Sequence, residues 1–340
     1  MAVEMGLART VKQDNLGHLI KRRNVVGVGV GYKVTASGPT DDLAVVVNVA
    51  RKLPLAQLAE SDLVPKQIDG VLTDVVETGV FRAWQAIPAI GKGFRERYRP
   101  TISPGASIGH RDVTAGTFGC LVRRGRQVYI LSNNHVLADV NHGKSGDPIL
   151  QPGRLDGGTP AEQVATLADY IPLDFGGEEP QCDVATGLGK VLNVIARLLG
   201  SRHRLLAYQE TDGINHVDAA LAVPLDAGSI TPEILEIGRP RGVAQATLGD
   251  PVQKSGRTTG HTEGRIVQID VSTSVVYNGR AAQFSGQLMA SAMSAPGDSG
   301  SAVLDMDNNV VGLLYAGSDV STLINPIQAV LEALQVELVT

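Results

Sequence analysis

The sequence predicts a mainly-β protein built as an antiparallel sandwich or barrel. Many short β-rich runs lie between turns, aromatic residues make up only 4% of the chain, and it contains 39 glycines and 17 prolines. Strands at this density, without crossover helices between them, are typical of antiparallel sheets. The 340 residues are enough for two or three domains, and a composition of 43% hydrophobic and 19% charged residues excludes wholesale disorder.

The first 80 residues are predicted to form a small α/β module. Residues 24–33 (NVVGVGVGYK) and 43–49 (LAVVVNV) are β-rich runs on either side of a polar turn, which predicts a hairpin. A short helix is expected after Pro54, and residues 70–76 are expected to form a third strand. The glycines of GVGVGYK lack the G-x-G-x-x-G spacing of a nucleotide-binding loop, so we favour a glycine-rich strand or bulge there.

Residues 81–104 are predicted to link this module to a larger domain. The stretch contains Pro, Gly and a basic cluster that is expected to be solvated: Lys92, Arg95, Arg97 and Arg99. The larger domain spans 105–340, with predicted strands at residues 116–122, 127–131, 251–254, 264–271, 273–277, 283–289, 301–304 and 309–315. Apolar residues at helical spacing over 325–338 predict a closing helix.

An insertion is predicted at about 151–213, between the early and late strands. It is rich in Gly, Pro and acidic residues, and it includes an amphipathic helix near 188–206. We expect this helix to pack on the body of the protein or on another subunit, with membrane binding as the weaker alternative.

Charge and cysteine content bear on partners and location. A net charge of −5 argues against a nucleic-acid or membrane-surface binder. No apolar run reaches the roughly 18 residues that span a bilayer, and the N-terminus lacks the pattern of a secretory signal. With only two cysteines, Cys120 and Cys182, a reducing cytoplasm is expected; buried free thiols are preferred, and a disulfide between them stays open.

Three short motifs carry the candidate chemistry, in the order His, Asp, Ser. LSNNHVLA places His135 directly after a predicted strand, NHVDAALA places Asp218 before a small apolar run, and PGDSGSAV places Ser299 in a Gly-Asp-Ser-Gly turn. A serine hydroxyl is a poor nucleophile at neutral pH, so an imidazole must take its proton during attack. A carboxylate holds that imidazole in the correct tautomer and stabilises it once it is protonated. Together the three residues predict nucleophilic catalysis.

The glycines around the serine predict an oxyanion-binding turn. Gly297 allows the backbone to turn so that its amide and that of Ser299 converge on one point, where they stabilise a tetrahedral intermediate of acyl transfer. For this chemistry we expect no cofactor and no metal. His142 and Asp139 lie near His135 in the chain, but they lack a metal-ligand spacing.

From residue 116 to the C-terminus, the chain resembles a chymotrypsin-fold (trypsin-like) serine protease of the bacterial α-lytic protease and streptogrisin branch. The similarity rests on VQKSGRTTGHTEGRI at the start of the second barrel, the APGDSG nucleophile loop, the VVGLLYAGS substrate-binding strand and the LINPIQAVLEAL closing helix. It implies a double six-stranded antiparallel β-barrel with a C-terminal helix, and it implies a protein or peptide as the substrate. The N-terminal stretches GVGVGYK, ARKLP and IDGVLTDVVETG resemble bacterial trypsin-like proteins related to the plant narrow-leaf protein.

The resemblance implies a catalytic role for each matching residue. His135 is expected to be the general base, Asp218 its partner and Ser299 the nucleophile. Gly297 would share the oxyanion hole with Ser299. No Ile-Val-type amino terminus is evident, so trypsin-style zymogen cleavage is not expected.

The aspartate before the nucleophile is implied to be structural. In relatives that resemble this chain, a basic residue from the strand matching KSGRTTG pairs with the equivalent of Asp298. Lys254 and Arg257 both match that place, and the sequence does not choose between them. A buried Asp298 needs such a partner, because an unpaired buried charge is costly.

The residues expected around the cleft indicate which P1 side chain the substrate carries. Six residues before the serine, where trypsin-like members have an aspartate that binds Arg or Lys, the chain has Met293. Residues 288–296 contain no acid, so an apolar or small P1 side chain is expected. The resemblance places Tyr315, Ala316 and Gly317 where the family presents backbone to substrate, and Tyr315 departs from the serine that usually hydrogen-bonds the triad aspartate.

The sequence also allows another aspartate in place of Asp218 and another function for the protein. Asp183 in QCDVATG also precedes a small apolar run, but Asp218 is preferred because ALAVP continues like a barrel strand. A protease-fold scaffold with little turnover is the rival function, motivated by Tyr315 and by the long insertion. The N-terminal module or the insertion helix is a candidate gate over the site, and homo-oligomerisation is left open.

Overall fold

The computed structural model describes residues 3–83, 86, 93–177, 192–194 and 213–340. Its helices in these ranges are α1 (Met5–Leu19), α2 (Asn134–Leu137) and α3 (Ile327–Leu334), and residues 192–194 are also helical. Short 3₁₀ turns lie at Leu55–Gln57, Glu60–Asp62, Arg154–Asp156, Pro160–Glu162 and Ala227–Ser229. None of the helices in the described ranges has both the length and the apolar character needed to cross a bilayer.

Strands make up most of the regular structure, which confirms the predicted mainly-β class. In chain order they are β1 (Val25–Thr35), β2 (Gly38–Val49), β3 (Gln67–Ile68), β4 (Val71–Glu77), β5 (Phe81–Arg82), β6 (Ser107–His110), β7 (Gly116–Thr117), β8 (Cys120–Arg124), β9 (Gln127–Ser132), β10 (Pro148–Leu150), β11 (Gln163–Tyr170), β12 (Ile214–Asn215), β13 (Ala220–Pro224), β14 (Gly242–Val243), β15 (Pro251–Gly256), β16 (Gly260–Tyr277), β17 (Arg280–Ser291), β18 (Ala302–Asp305), β19 (Asn309–Gly317), β20 (Ser321–Pro326) and β21 (Glu337–Leu338).

The strands form two sheets, and most neighbours in them are antiparallel. The larger sheet has the order β12-β17-β20-β19-β18-β15-β16-β1-β2-β4-β3; β17 also pairs with β16, β14 pairs with β19, and β5 pairs with both β16 and β19. The smaller sheet has the order β21-β8-β9-β13-β11-β10-β6-β7. Strand β11 falls within the stretch predicted as an insertion, yet it pairs with β10 and β13 inside this sheet.

The N-terminal strands continue the larger sheet. β1 and β2 form the predicted hairpin, and β1 also pairs antiparallel with β16. The glycines of β1 lie very close to that neighbour: a Cβ at Gly27 would lie 2.9 Å from Thr273 Oγ1, and one at Gly31 would lie 2.7 Å from the carbonyl oxygen of Val267. The glycine-rich strand is therefore confirmed, and close strand packing accounts for its composition.

Two features of this module differ from the sequence prediction. Helix α1 was not predicted; it packs on the sheet through Ala8, Val11 and Leu19, which are buried. The helix expected after Pro54 is instead a pair of 3₁₀ turns that bury no side chain. Without a packed apolar face, so short a stretch gains too little to extend into an α-helix.

The closing helix is confirmed, although it is shorter than the predicted span of 325–338. Helix α3 buries Ile327, Val330 and Leu334, which are the positions that its apolar spacing indicated. It ends where Gln335 takes a left-handed backbone conformation (φ 52°), and the chain continues as β21.

The stretch predicted as a linker is partly docked on the smaller sheet. Arg99 donates from Nη1 to Oε1 of Gln151 at 2.8 Å, and Arg97 lies 3.5 Å from the carboxylate of Glu162. Lys92, Cys182, Asp183 and the predicted helix near 188–206, apart from residues 192–194, lie outside the described residues.

Candidate active site

The two sheets bring the three motif residues to one place. His135 is on α2, which follows β9, and Asp218 lies just before β13. β9 and β13 pair antiparallel through Ser132 and Ala220, so the end of one strand and the start of the other meet at the same edge. The turn that carries Ser299 precedes β18 of the larger sheet.

Gly116 shows how closely the turn that carries Ser299 approaches the helix that carries His135. A Cβ on Gly116 would lie 2.4 Å from Cγ2 of Val136 and 3.1 Å from the carbonyl oxygen of Ser299. The next residue, Thr117, donates its amide to that same carbonyl at 2.8 Å. Only a residue without a side chain fits between these two parts of the site, which places Ser299 beside the helix of His135.

The histidine and aspartate form a buried pair. Nδ1 of His135 lies 2.6 Å from Oδ2 of Asp218, and the aspartate is fully buried. The other carboxylate oxygen accepts the amide of Asn134 at 2.7 Å, while Asn325 Oδ1 accepts the amide of Asp218 at 3.0 Å. Because a carboxylate accepts at Nδ1, the proton sits on that nitrogen and Nε2 is left as the basic atom.

A tyrosine that sequence reasoning missed completes this pair. Tyr277 donates from Oη to Oδ2 of Asp218 at 2.9 Å, and its ring meets the His135 ring edge-on with centroids 5.7 Å apart. Burial raises the pKa of Tyr277 well above its usual range, with the nearby carboxylate adding to the rise, so the phenol keeps its proton. Tyr277 is the last residue of a predicted strand, and nothing local in the sequence shows which residue it reaches.

Ser299 is buried beside the pair but is not hydrogen-bonded to it in this conformation. Its Oγ donates to the carbonyl oxygen of Tyr315 at 3.4 Å, and Nε2 of His135 has no partner among the described residues. A hydrogen bond from Ser299 to Nε2 of His135 would require the serine hydroxyl to turn away from the Tyr315 carbonyl. Catalytic hydrogen bonds are often long or absent without substrate and tighten when it binds.

The backbone around Ser299 offers two unused amides. The amides of Asp298, Gly300 and Ser301 donate to backbone carbonyls, whereas within the described ranges those of Gly297 and Ser299 donate to no other group. Gly297 has φ 103° and Gly300 has φ 94°, a backbone region that favours glycine. The glycine turn thus leaves free the two donors that the sequence assigned to an oxyanion hole.

The structure selects Lys254 as the partner of Asp298. Both side chains are fully buried, with Nζ of Lys254 3.2 Å from Oδ2 of Asp298. The same carboxylate accepts the amides of Thr258 and Thr259 at 2.8 and 3.1 Å. Burial lowers the pKa of Lys254, and the Asp298 charge opposes that change. Asp298 thus joins the turn that carries Ser299 to β15, through Lys254, and to the turn that follows β15, through Thr258 and Thr259.

Arg257 has a different partner from the one considered in the sequence analysis. Its Nε donates to Oδ2 of Asp156 at 2.8 Å, and its side chain is fully buried. Asp156 also accepts from Ser107 Oγ at 2.6 Å. Arg257 therefore connects the larger sheet to the 3₁₀ turn at Arg154–Asp156.

The four residues expected at the substrate cleft divide into two groups. Ala316 and Gly317 line a small cavity together with Ser299. The side chain of Met293 is buried in a hydrophobic cluster that also contains residues of α1, β1 and β15, and the Tyr315 ring packs against Phe284 with centroids 4.8 Å apart. Tyr315 reaches the cleft through its backbone carbonyl rather than its side chain.

The other candidate ligands and the thiol lie apart from the His135–Asp218 pair in their contacts. In the ranges that the structure describes, no group of three or more His, Cys, Asp or Glu side chains is arranged to hold a metal ion. His142 Nδ1 lies 2.6 Å from the carbonyl oxygen of Asp139, which is a local turn contact. Cys120 is a buried free thiol, and burial raises its pKa to about 12.

Known proteins with similar sequences or structures fall in the two groups that the sequence resembled. No protein-family model matches the chain. Protein NARROW LEAF 1 of Oryza sativa subsp. japonica is 25% identical over 266 residues, a match that covers 73% of this chain and 42% of that protein. The chain thus matches less than half the length of this curated relative.

The similar solved structures include Thermobifida fusca protease A, with 18% identity over 71% of this chain and 99% of that one and a TM-score of 0.45. Cellulomonas bogoriensis chymotrypsin has 17% identity over 70% of this chain and 100% of that one, with a TM-score of 0.43. Alpha-lytic protease homolog N4 has 17% identity over 70% and 98% of the two chains, with a TM-score of 0.44.

Proposed function

We propose that the protein is a serine endopeptidase that hydrolyses peptide bonds through His135, Asp218 and Ser299. The observation that carries the proposal is the buried His135–Asp218 pair, 2.6 Å apart, beside a serine whose turn leaves two amides unused. A binding surface has no physical need for a polarised imidazole next to a hydroxyl and two free donors. Acyl transfer needs all of these groups.

The reaction follows from the position of each group. After rotation of its side chain, Ser299 Oγ attacks the substrate carbonyl carbon while Nε2 of His135 takes the hydroxyl proton. Asp218 stabilises the imidazolium that forms. The amides of Gly297 and Ser299 stabilise the oxyanion, an effect of about 3–4 kcal/mol for one donor. His135 then passes the proton to the leaving amine, and water hydrolyses the acyl-enzyme by the same steps in reverse.

The proposal keeps a preference for an apolar or small P1 side chain. Apart from Arg82, the residues that line the small cavity at Ser299 are uncharged: Ser294, Ala295, Pro296, Leu314, Ala316 and Gly317. No acid among them would bind an Arg or Lys side chain. We also keep a protein or peptide as the partner and the cytoplasm as the location; membrane and nucleic acid are not proposed as partners.

One observation favours the rival function, a protease-fold scaffold with little turnover. Ser299 hydrogen-bonds to the Tyr315 carbonyl instead of His135 in the conformation described here. A scaffold would retain this arrangement permanently, whereas an enzyme would leave it on binding substrate. The rate at which Ser299 reacts therefore separates the two functions.

A fluorophosphonate probe tests the proposal, because it reacts only with an activated serine. The wild-type protein should be labelled at Ser299, and Ser299→Ala should not be labelled. Ser37→Ala is the matched control, since it removes an exposed hydroxyl from the turn between β1 and β2 and should be labelled like the wild type. Absence of labelling in the folded wild-type protein, and also in an Arg82→Pro variant that loses the backbone pairing of Arg82 with Gly317, would support the scaffold instead.

A further inference from the structure

A short stretch of the chain lies across the cleft that contains Ser299. We call residues 81–83 and 86 the crossing segment. Arg82 lines the cavity that also contains Ser299, and Ala83 lines a second cavity together with His135. Phe81, Ala83 and Ala86 are all buried. The segment thus contacts both halves of the candidate site, although the sequence placed it at the start of a linker.

The crossing segment is added to the larger sheet as a strand. Arg82 pairs antiparallel with Gly317 at the end of β19, and Phe81 pairs in parallel with Val275 of β16. The amide of Ala83 donates to the carbonyl of Val276 on the β16 side at 3.2 Å. Backbone groups alternate sides along a strand, so the amide of Arg82 points towards β19. Extended peptides bind to exposed strand edges in this way.

Contacts on both sides of the nucleophile hold the segment in place. Phe81 is buried in a cluster that includes Tyr277 and Tyr315. On the other side of Ser299, the amide of Ala86 donates to Thr114 Oγ1 at 3.1 Å. A Cβ on Gly297 would lie 3.1 Å from the Cβ of Ala86. The described residues of the segment therefore lie at two places in the cleft, Arg82 beside the Gly317 edge and Ala86 beside the oxyanion turn.

We propose that the crossing segment is the resident occupant of the peptide-binding cleft and that an extended peptide binds by displacing it. The proposal rests on the proposed function, because it concerns the same site. Its basis is the backbone pairing of Arg82 with Gly317, which uses the edge that a peptide would need. A tethered segment competes at an effective concentration on the order of millimolar, so it suppresses weak peptides and yields to stronger ones.

The test measures peptide binding without catalysis. The probe is a fluorescein-labelled, end-blocked FRAWQA peptide, which copies residues 81–86, and the background is Ser299→Ala. Arg82→Pro removes the amide that points at β19, whereas Arg82→Ala keeps the backbone pairing and is the matched control. Fluorescence anisotropy should show binding to the Pro variant at least about tenfold tighter than to the Ala variant. Equal affinities, or no binding to the Pro variant at millimolar peptide, would overturn the proposal.

A second measurement covers the case in which Arg82→Pro does not fold. In the Ser299→Ala protein with native Arg82, hydrogen exchange of the Ala83 amide reports whether the segment is docked. Saturating FRAWQA should increase its exchange at least about tenfold, because binding and docking exclude each other. Unchanged exchange with bound peptide would show that the peptide binds elsewhere. Both measurements use a protein without the nucleophile, so failed fluorophosphonate labelling would count against the peptidase and leave this result standing.

Discussion

Two buried tyrosines give a matched test of how the Asp218 carboxylate is supported. Tyr277 donates to Asp218 at 2.9 Å, whereas the Tyr315 hydroxyl is buried without a hydrogen-bond partner among the described residues. Tyr277→Phe removes one donor from a buried carboxylate, and Tyr315→Phe removes an unsatisfied hydroxyl. Each substitution keeps an aromatic ring in the same hydrophobic cluster.

The two substitutions should change stability in different ways. A hydrogen bond to a charged group contributes about 1.5–3 kcal/mol, so Tyr277→Phe should lower the free energy of unfolding by that amount. Tyr315→Phe should leave it unchanged or raise it by about 1 kcal/mol, because a buried unpaired hydroxyl is a cost of folding. Tyr277→Phe should also slow fluorophosphonate labelling of Ser299, since Asp218 loses the contact that fixes its orientation.

Urea unfolding in the Ser299→Ala background measures the stabilities without self-digestion. The difference between the two variants in free energy of unfolding is the decisive quantity, because both lose one buried hydroxyl. If Tyr315→Phe destabilised the protein as much as Tyr277→Phe, the hydrogen bond to Asp218 would not be the reason for the loss. Labelling of Ser299 at the wild-type rate in Tyr277→Phe would refute its contribution to the catalytic geometry.

Three further predictions concern the surroundings of the site. Lys254→Met leaves Asp298 buried without its cation and should cost about 3–5 kcal/mol in urea unfolding; a loss under about 1 kcal/mol would contradict the buried pair. Cys120 has a pKa raised from 9.0 to about 12 in the folded state, so its contribution is intact below pH 9 and is lost as pH rises towards 12. Between pH 8 and pH 10 the wild type should therefore lose about 1 kcal/mol more than Cys120→Ala, and parallel curves would show that this thiol is accessible. Gly116→Ala should slow fluorophosphonate labelling at least about tenfold, because its Cβ would lie 2.4 Å from Val136; wild-type labelling would mean that this contact relaxes without moving the site.

Local chemistry explains why several features could be predicted from the sequence. The mainly-β class follows from short alternating runs between turns, and the closing helix follows from Ile327, Val330 and Leu334 at helical spacing. The motifs around His135 and Ser299 were recognisable because their neighbours carry local requirements, such as the positive φ at Gly297. Helix α1 was missed because only four of its 15 residues are buried, Ala8, Val11, Lys12 and Leu19, and contact with the sheet decides which four they are.

Other features depend on contacts between distant parts of the chain. The same strand and turn carry both Lys254 and Arg257, and only the packing of the two sheets assigns one to Asp298 and the other to Asp156. Likewise, Tyr277 and Tyr315 are equivalent as residue types, but only Tyr277 donates a hydrogen bond to the Asp218 carboxylate.

By itself, the sequence determined the residue types that the chemistry needs and the local backbone shapes that present them, because both depend on neighbours along the chain. The tertiary structure alone decided which buried charges pair, which tyrosine supports Asp218, and that Arg82 lies against Gly317 in the cleft. These are pairings between sheets and strands far apart in the chain. Their geometry is fixed by packing, strand register and burial, which local propensity does not encode.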